Sequence, residues 1–284
     1  MTNFKSPLLL MLCVVVLASC RQTKVSDSQS EPLQMMVDTL KADSLEQEIP
    51  EFIEEVKEEE EFEYIDGDFD DFMFTFVRNN KLQKERVKYP LPFIAPKVDS
   101  TIYYLNCRKE FEFLNNDFFT ILYGDLEQIE EVKNLSGDSV SVERIDLDRS
   151  TINRYDFCRL DGKWMLTGIC QSGLNGNELA DFFVFYHQFS CDSLYQIGHI
   201  SQPLKFGMID PDDEGNYIEG TLDAQQWFSF CPEVPTGLIT NIRYGQRYTP
   251  EQVVLQKCGM ANGMEEIFTF RRMTQEWMLT SYEN

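Results

Sequence analysis

Trp164-Met165-Leu166-Thr167 recurs as Trp277-Met278-Leu279-Thr280, 113 positions later. The same offset carries Phe69, Phe72 and Phe76 onto Phe182, Phe185 and Phe189, and Pro90-Leu91 onto Pro203-Leu204. Matches at both ends of a period in one register mean a duplicated unit with no net insertion. A fixed period reveals architecture before any single motif does. The sequence therefore predicts two tandem units, residues 62–172 and 173–284.

Each unit opens with an aromatic amphipathic helix. Phe69, Phe72, Met73, Phe76 and Val77 share one stripe, as do Leu179, Phe182, Phe183, Tyr186 and Phe189. Spacing of i, i+3, i+4, i+7 marks a helix that buries one face. Asp68 and Asp181 match and sit where negative charge suits the helix dipole, and Asn177 is a candidate N-cap. A short second helix follows, with Asn79 and Asp192 as capping residues and Pro90 and Pro203 ending it. Ile102-Tyr103-Tyr104-Leu105 reads as extended, with Tyr217-Ile218 as its counterpart. Third helices are predicted at Asp117–Tyr123 and Asp223–Phe230.

The remainder of each unit reads as β. Val140, Val142, Ile145 and Leu147 alternate and lead into Tyr155, Phe157 and Arg159. Asp161-Gly162 is a two-residue hairpin signal. It sets Arg159 across from Trp164 and Phe157 across from Leu166, and Arg272 and Trp277 repeat the arrangement. Helices followed by a curved antiparallel sheet, twice over, define an α+β chain of two cone-shaped units.

The net charge is −23 over 284 residues, and residues 21–71 hold 18 acidic and 4 basic residues. Nothing supplies the basic face that nucleic-acid binding needs, which excludes that class. Lys5 precedes an apolar run ending in Leu17-Ala18-Ser19-Cys20, a secretion-signal layout over residues 1–20. Residues 21–61 read as an acidic flexible tether, with one short amphipathic stretch at Phe52, Ile53 and Val56. Cys107, Cys158, Cys170, Cys191, Cys231 and Cys258 remain after the leader and Cys20. They do not align at the repeat offset, so they read as small buried hydrophobes or as bridges not shared by the halves.

Two resemblances follow. Leu-Ala-Ser-Cys resembles the bacterial lipobox. It implies lipidation at Cys20 and a lipid bilayer as partner, with Arg21 favouring the outer membrane and the chain facing the periplasm. Phe-x-x-Phe-x-x-x-Phe, then Gln-x-x-Arg/His-Val/Ile-x-x-Pro-Leu, then a Trp hairpin resembles an uncharacterised lipoprotein family of Gram-negative gut bacteria. Its members look like nuclear-transport-factor-2-like proteins, which implies a cone of helices on a curved sheet. That superfamily holds isomerases, dehydratases and non-catalytic binding modules. No catalytic residue transfers to this chain.

The matched aromatics Tyr104 and Tyr217, with Trp164 and Trp277, are candidates for a cone pocket or core. Arg86 and His199 form one paired basic position, read as helix-end caps or surface groups. Arg159 and Arg272 form the other, as candidates for stacking on the opposed Trp. Asp210, Asp212 and Asp213 begin a calcium-loop pattern, but Thr221 stands where its bidentate Glu belongs. Asp99 and Asp212 match instead as a shared loop. Two His, at 187 and 199, and no HExxH leave no zinc site. No cofactor and no catalytic residue is expected. A tethered module binding a protein or small molecule leads, with an isomerase- or hydratase-type enzyme as alternative and a structural envelope scaffold behind it.

Overall fold

Phe69, Phe72, Met73, Phe76 and Val77 are the buried residues of helix α1 (Phe69–Arg78). This computed structural model describes residues 65–284 apart from 115–117, 134–136, 211, 214–215, 231 and 260–262. The leader, Cys20, the tether, the stretch around Phe52 and Cys231 lie outside the described residues. Those described belong to one compact unit, Pro50–Asn284. Asn79 ends α1 and caps α2 (Asn80–Glu85), its side chain accepting from Lys81 and Leu82 N–H groups.

The first half continues through β1 (Leu91–Ala95), β2 (Val98–Ile102), α3 (Cys107–Glu110), β3 (Phe118–Tyr123), α4 (Glu127–Lys133), β4 (Ser139–Asp146), β5 (Thr151–Leu160) and β6 (Lys163–Gly173). The second half runs α5 (Ala180–Cys191), α6 (Ser193–Gly198), β7 (Ile200–Ile209), β8 (Tyr217–Leu222), α7 (Ala224–Phe230), β9 (Leu238–Arg243), β10 (Gln252–Gly259), β11 (Glu265–Met273) and β12 (Glu276–Glu283). The chain is α+β, strand-dominated, with two six-stranded sheets ordered β2-β1-β6-β5-β4-β9 and β3-β10-β11-β12-β7-β8.

Two predicted details change. Asp117–Tyr123 is not a helix, because Phe118–Tyr123 forms β3. Asn177 does not cap α5 directly. Its side chain accepts from Leu179 N–H at 2.8 Å, and Leu179, at the cap position, makes no capping bond.

The hairpins match their pattern. Arg159 faces Trp164 and Phe157 faces Leu166, while Arg272 faces Trp277 and Phe270 faces Leu279. Asp161 and Gly162 both take positive φ, of 50° and 79°, as a primed two-residue turn requires. Each Trp meets the first aromatic of its helix edge-on. Phe69–Trp164 centroids are 5.0 Å apart at 76°, and Phe182–Trp277 centroids 5.3 Å apart at 73°.

The strand order shows an exchange. β3 pairs with β10 of the second half, and β9 pairs with β4 of the first. The exchanged strands meet at Thr120 and Thr240. Thr120 N–H donates to Thr240 Oγ1 at 2.7 Å, and Thr240 N–H to Thr120 Oγ1 at 2.9 Å. Each hydroxyl then donates to the other's carbonyl, at 2.6 and 2.9 Å. The hydroxyls so replace a ladder that crossing strands cannot form. The cores are shared accordingly: Ile242 and Val254 pack in the first, Leu122 and Ile145 in the second. Residues 62–172 and 173–284 are thus not separate packing units.

The offset is also not constant. Thr120 and Thr240 lie 120 apart. Leu91 pairs with Ile102, and Leu204 with Leu222, so the shift begins in the β7–β8 hairpin. It reverts by β10, where Val254 faces Tyr123 as Ser141 faces Arg243.

Candidate functional site

α1 buries its Phe stripe and so turns Asp70 and Asp71 toward the seam where β3, β9 and β10 cross. Asp68 caps the helix, accepting from Asp70 N–H at 3.5 Å. Tyr244, just past β9, donates its hydroxyl to Asp70 Oδ1. A second polar string lies alongside. Tyr123 Oη donates to Gln256 Oε1 at 2.8 Å, and Gln256 Nε2 to Glu265 Oε1 at 2.6 Å.

These groups border a cavity of about 350 Å³ walled also by Phe119, Ile121, Val140 and Trp164. A second space of about 340 Å³ shares Asp70 and Phe119 and is bounded by Met73, Phe74, Val77, Leu114 and Ile242. Such volumes suit small ligands, with apolar walls and few convergent polar groups. Both halves contribute walls, so the cavity exists only because the strands are exchanged.

Water reaches Asp70 along one side, yet the surrounding protein desolvates its carboxyl and raises its pKa. The Tyr244 bond opposes this, and Asp68 and Asp71 add to it by like-charge repulsion. Burial pushes Tyr244 well above the ordinary phenol range, with Asp70 adding to the shift. Tyr123 is raised for the same first reason. The arrangement presents Tyr244 as donor and Asp70 as acceptor in one pair at the cavity wall. In the second half Phe183 stands at the position of Asp70 and is buried, so the polar pair belongs to one half alone.

The residues predicted as sites scatter. Trp164 and Trp277 are buried core residues at 1% and 5% exposure, and Trp164 also walls the cavity. The Arg159 guanidinium lies 4.8 Å from the Trp164 ring centroid, and that of Arg272 4.9 Å from Trp277. Tyr104 and Tyr217 line no cone and are not core: they are 76% and 50% exposed. Their pairing assumed the offset of 113 inside a stretch that runs at 120. Tyr217 lies across Gly207 on the outer sheet face, where a side chain has no room, and borders a polar surface groove with Lys205, Glu219 and Thr221.

Arg86 is the C-cap residue of α2, its N–H donating to the Leu82 carbonyl, but it is not a surface group. It is buried and paired twice with Asp66, Nη1 to Oδ1 at 2.9 Å and Nη2 to Oδ2 at 2.8 Å. Asp66 Oδ1 also accepts from Trp164 N–H at 2.9 Å. Its twin His199 is half-buried, stacked on Tyr195 at 3.7 Å, with Nδ1 2.8 Å from Tyr195 O. Asp99 lies in β2 and Asp212 in a turn, so they do not share a loop. Asp210 there accepts from Asp212 N–H at 2.9 Å. Among the described residues no cluster of His, Cys, Asp or Glu has metal-binding geometry. None of the five described cysteines forms a disulfide.

Sequence reasoning missed Asp70, Tyr244 and Asp66. Asp66 carried a signal: with Arg86 it would have formed an acid–base pair flanking a buried helix. Asp70 and Tyr244 carried none, being 174 residues apart.

A family model described as a domain of unknown function, DUF4348, matches residues 43–284. The chain is also similar to an NTF2-like protein from Bacteroides fragilis NCTC 9343, whose crystal structure was determined at 2.15 Å. The two share 35% identity with a TM-score of 0.71, over 77% of this chain and 96% of that one. None of the functionally curated proteins matches the chain.

Proposed function

The chain belongs to the DUF4348 family of unknown function and has an NTF2-like fold, and from that premise we propose that it is a non-catalytic binding module of the cell envelope. In this reading acyl chains on Cys20 hold it to the outer membrane, facing the periplasm, and the tether lets the folded part stand clear. The ligand enters the seam cavity beside Asp70. One observation carries the reading: a cavity of small-molecule size combines an apolar wall of Phe119, Ile121, Val132 and Val140 with a polar side that includes the Asp70–Tyr244 pair, at a place its twin fills with Phe183. Two halves under the same packing demands differ there, with a carboxylate at the cavity mouth in one and a buried ring in the other.

Native mass spectrometry of the chain isolated from its own envelope tests this. A co-purifying small molecule is expected, depleted by Asp70→Leu. A ligand-free chain that also fails to take up an apolar dye would sink the reading.

The raised pKa of Asp70 against Tyr244 favours a second reading, proton transfer in an isomerase- or hydratase-type enzyme. Turnover of a cyclic enone that vanishes in Asp70→Asn would put this reading first.

A further inference from the structure

Trp164 Nε1 and Arg159 Nε are buried and have no hydrogen-bond partner, and both side chains line the cavity at the seam. Buried donors are almost always satisfied, so two orphans on residues of one cavity wall are unusual, and an acceptor that reaches them must displace the groups that now cover them.

The second half is an internal control. Trp277 and Arg272 hold the equivalent positions, with ring-to-guanidinium distances within 0.1 Å of each other, 4.9 against 4.8 Å. Both reach one carboxylate. Trp277 Nε1 donates to Asp181 Oδ2 at 3.4 Å, and Arg272 Nη2 pairs with that same oxygen, while Arg272 Nε donates to the Pro250 carbonyl at 3.1 Å. The difference lies in the acid. Asp68, the twin of Asp181, is turned to cap α1. Arg159 Nη2 donates instead to the Gly67 carbonyl at 3.2 Å. Its Nε stands 4.0 Å from Asp138 Oδ1, beyond hydrogen-bond reach.

We propose that the first-half cavity binds an apolar monocarboxylate, its carboxylate seated on Trp164 and Arg159 as Asp181 is seated on Trp277 and Arg272. The apolar body lies against Phe119, Ile121, Val132 and Val140, which wall the same space. Asp68, Asp70 and Glu265 also line it, so the lining opposes an anion everywhere except at the two donors, and a second negative charge is disfavoured further. This rests on the binding reading above and adds the ligand class.

The test follows the three indole N–H resonances, from Trp164, Trp227 and Trp277, in the ¹⁵N-labelled whole chain. Trp164→Phe assigns the first, while the other two report that the variant has folded. The probes are cyclohexylacetate, cyclohexylacetamide and 2-cyclohexylethylamine. The carboxylate alone should move the Trp164 resonance saturably and leave Trp277 still. Arg159→Gln should weaken the carboxylate probe about tenfold, the loss expected for one charge-assisted hydrogen bond. An amide or amine that moves Trp164 as strongly overturns the proposal. So does a Trp164 resonance that shifts in the free Asp68→Asn variant, because Asp68 then fills the seat itself. Shifts at the Ile121 and Val140 methyls with Trp164 unmoved also overturn it, while leaving the binding reading standing. No shift at any of these sites with any probe would count against both.

Discussion

Asp66→Leu should be among the most damaging single changes in the chain. Arg86 and Asp66 are 4% and 7% exposed and 2.8 Å apart. Removing the acid leaves a buried guanidinium without its counter-charge, at a cost of about 3–5 kcal/mol. It also orphans the Trp164 N–H, now bonded to Asp66 at 2.9 Å, for about 1–3 kcal/mol more. The sum approaches the whole stability of an ordinary domain, about 5–15 kcal/mol. The second half suggests the remedy, since Leu179 and His199 stand at the positions of Asp66 and Arg86. Adding Arg86→His to Asp66→Leu removes the buried charge at neutral pH and should leave only the orphaned N–H. The double variant should therefore be more stable than Asp66→Leu alone by about 3 kcal/mol, the uncompensated-charge penalty. Urea unfolding followed by Trp fluorescence and by circular dichroism measures the cycle. A loss under about 1 kcal/mol for Asp66→Leu, or a double variant weaker than the single, would refute the account; both thresholds lie well outside the buried-pair range.

Thr120→Val keeps shape but strips a hydroxyl that donates to Thr240 O and accepts from Thr240 N. It should cost about 2 kcal/mol through the buried groups left unpaired, and an unchanged urea midpoint would contradict the exchange seam as described. Asp70→Asn should gain stability relative to the parent as pH rises. A folded pKa above 3.8 means the native state binds this proton more tightly, so the parent's penalty is absent below the unfolded value and full above the folded one. Paired melts between about pH 3 and 7 should show that divergence, and parallel curves would rule it out. Cys20→Ala should yield an uncleaved or unanchored chain, and an intact wild-type mass with no acyl groups would dispose of the anchor.

The sequence disclosed most where a pattern is local. The Phe stripe of α1 and the Trp hairpins were legible because helical spacing and a two-residue turn are set by neighbours. β3 was not legible. Phe118–Tyr123 is a short, mostly apolar run without periodicity whose last four residues are buried at the edge of its sheet, and such a run does not separate helix from strand. Tyr104 and Tyr217 were mispaired because compensating length changes hid inside an offset that holds at both ends. Asp70 was invisible for a different reason. Its environment is made by Tyr244, Gln256 and Cys258, which only the exchanged topology brings to α1.

The exchange also fixes an order of events as the chain is made. β4 appears early but its outer partner, β9, is synthesised only after most of the second half. About 100 residues separate the two strands, a wait on the order of 10 s even at the pace of synthesis. During it the Val142 and Ile145 edge has no neighbour and is a template for strands of other chains. A chaperone that shields this one edge until Arg243 emerges should therefore raise the yield of native protein more than one acting on the finished chain.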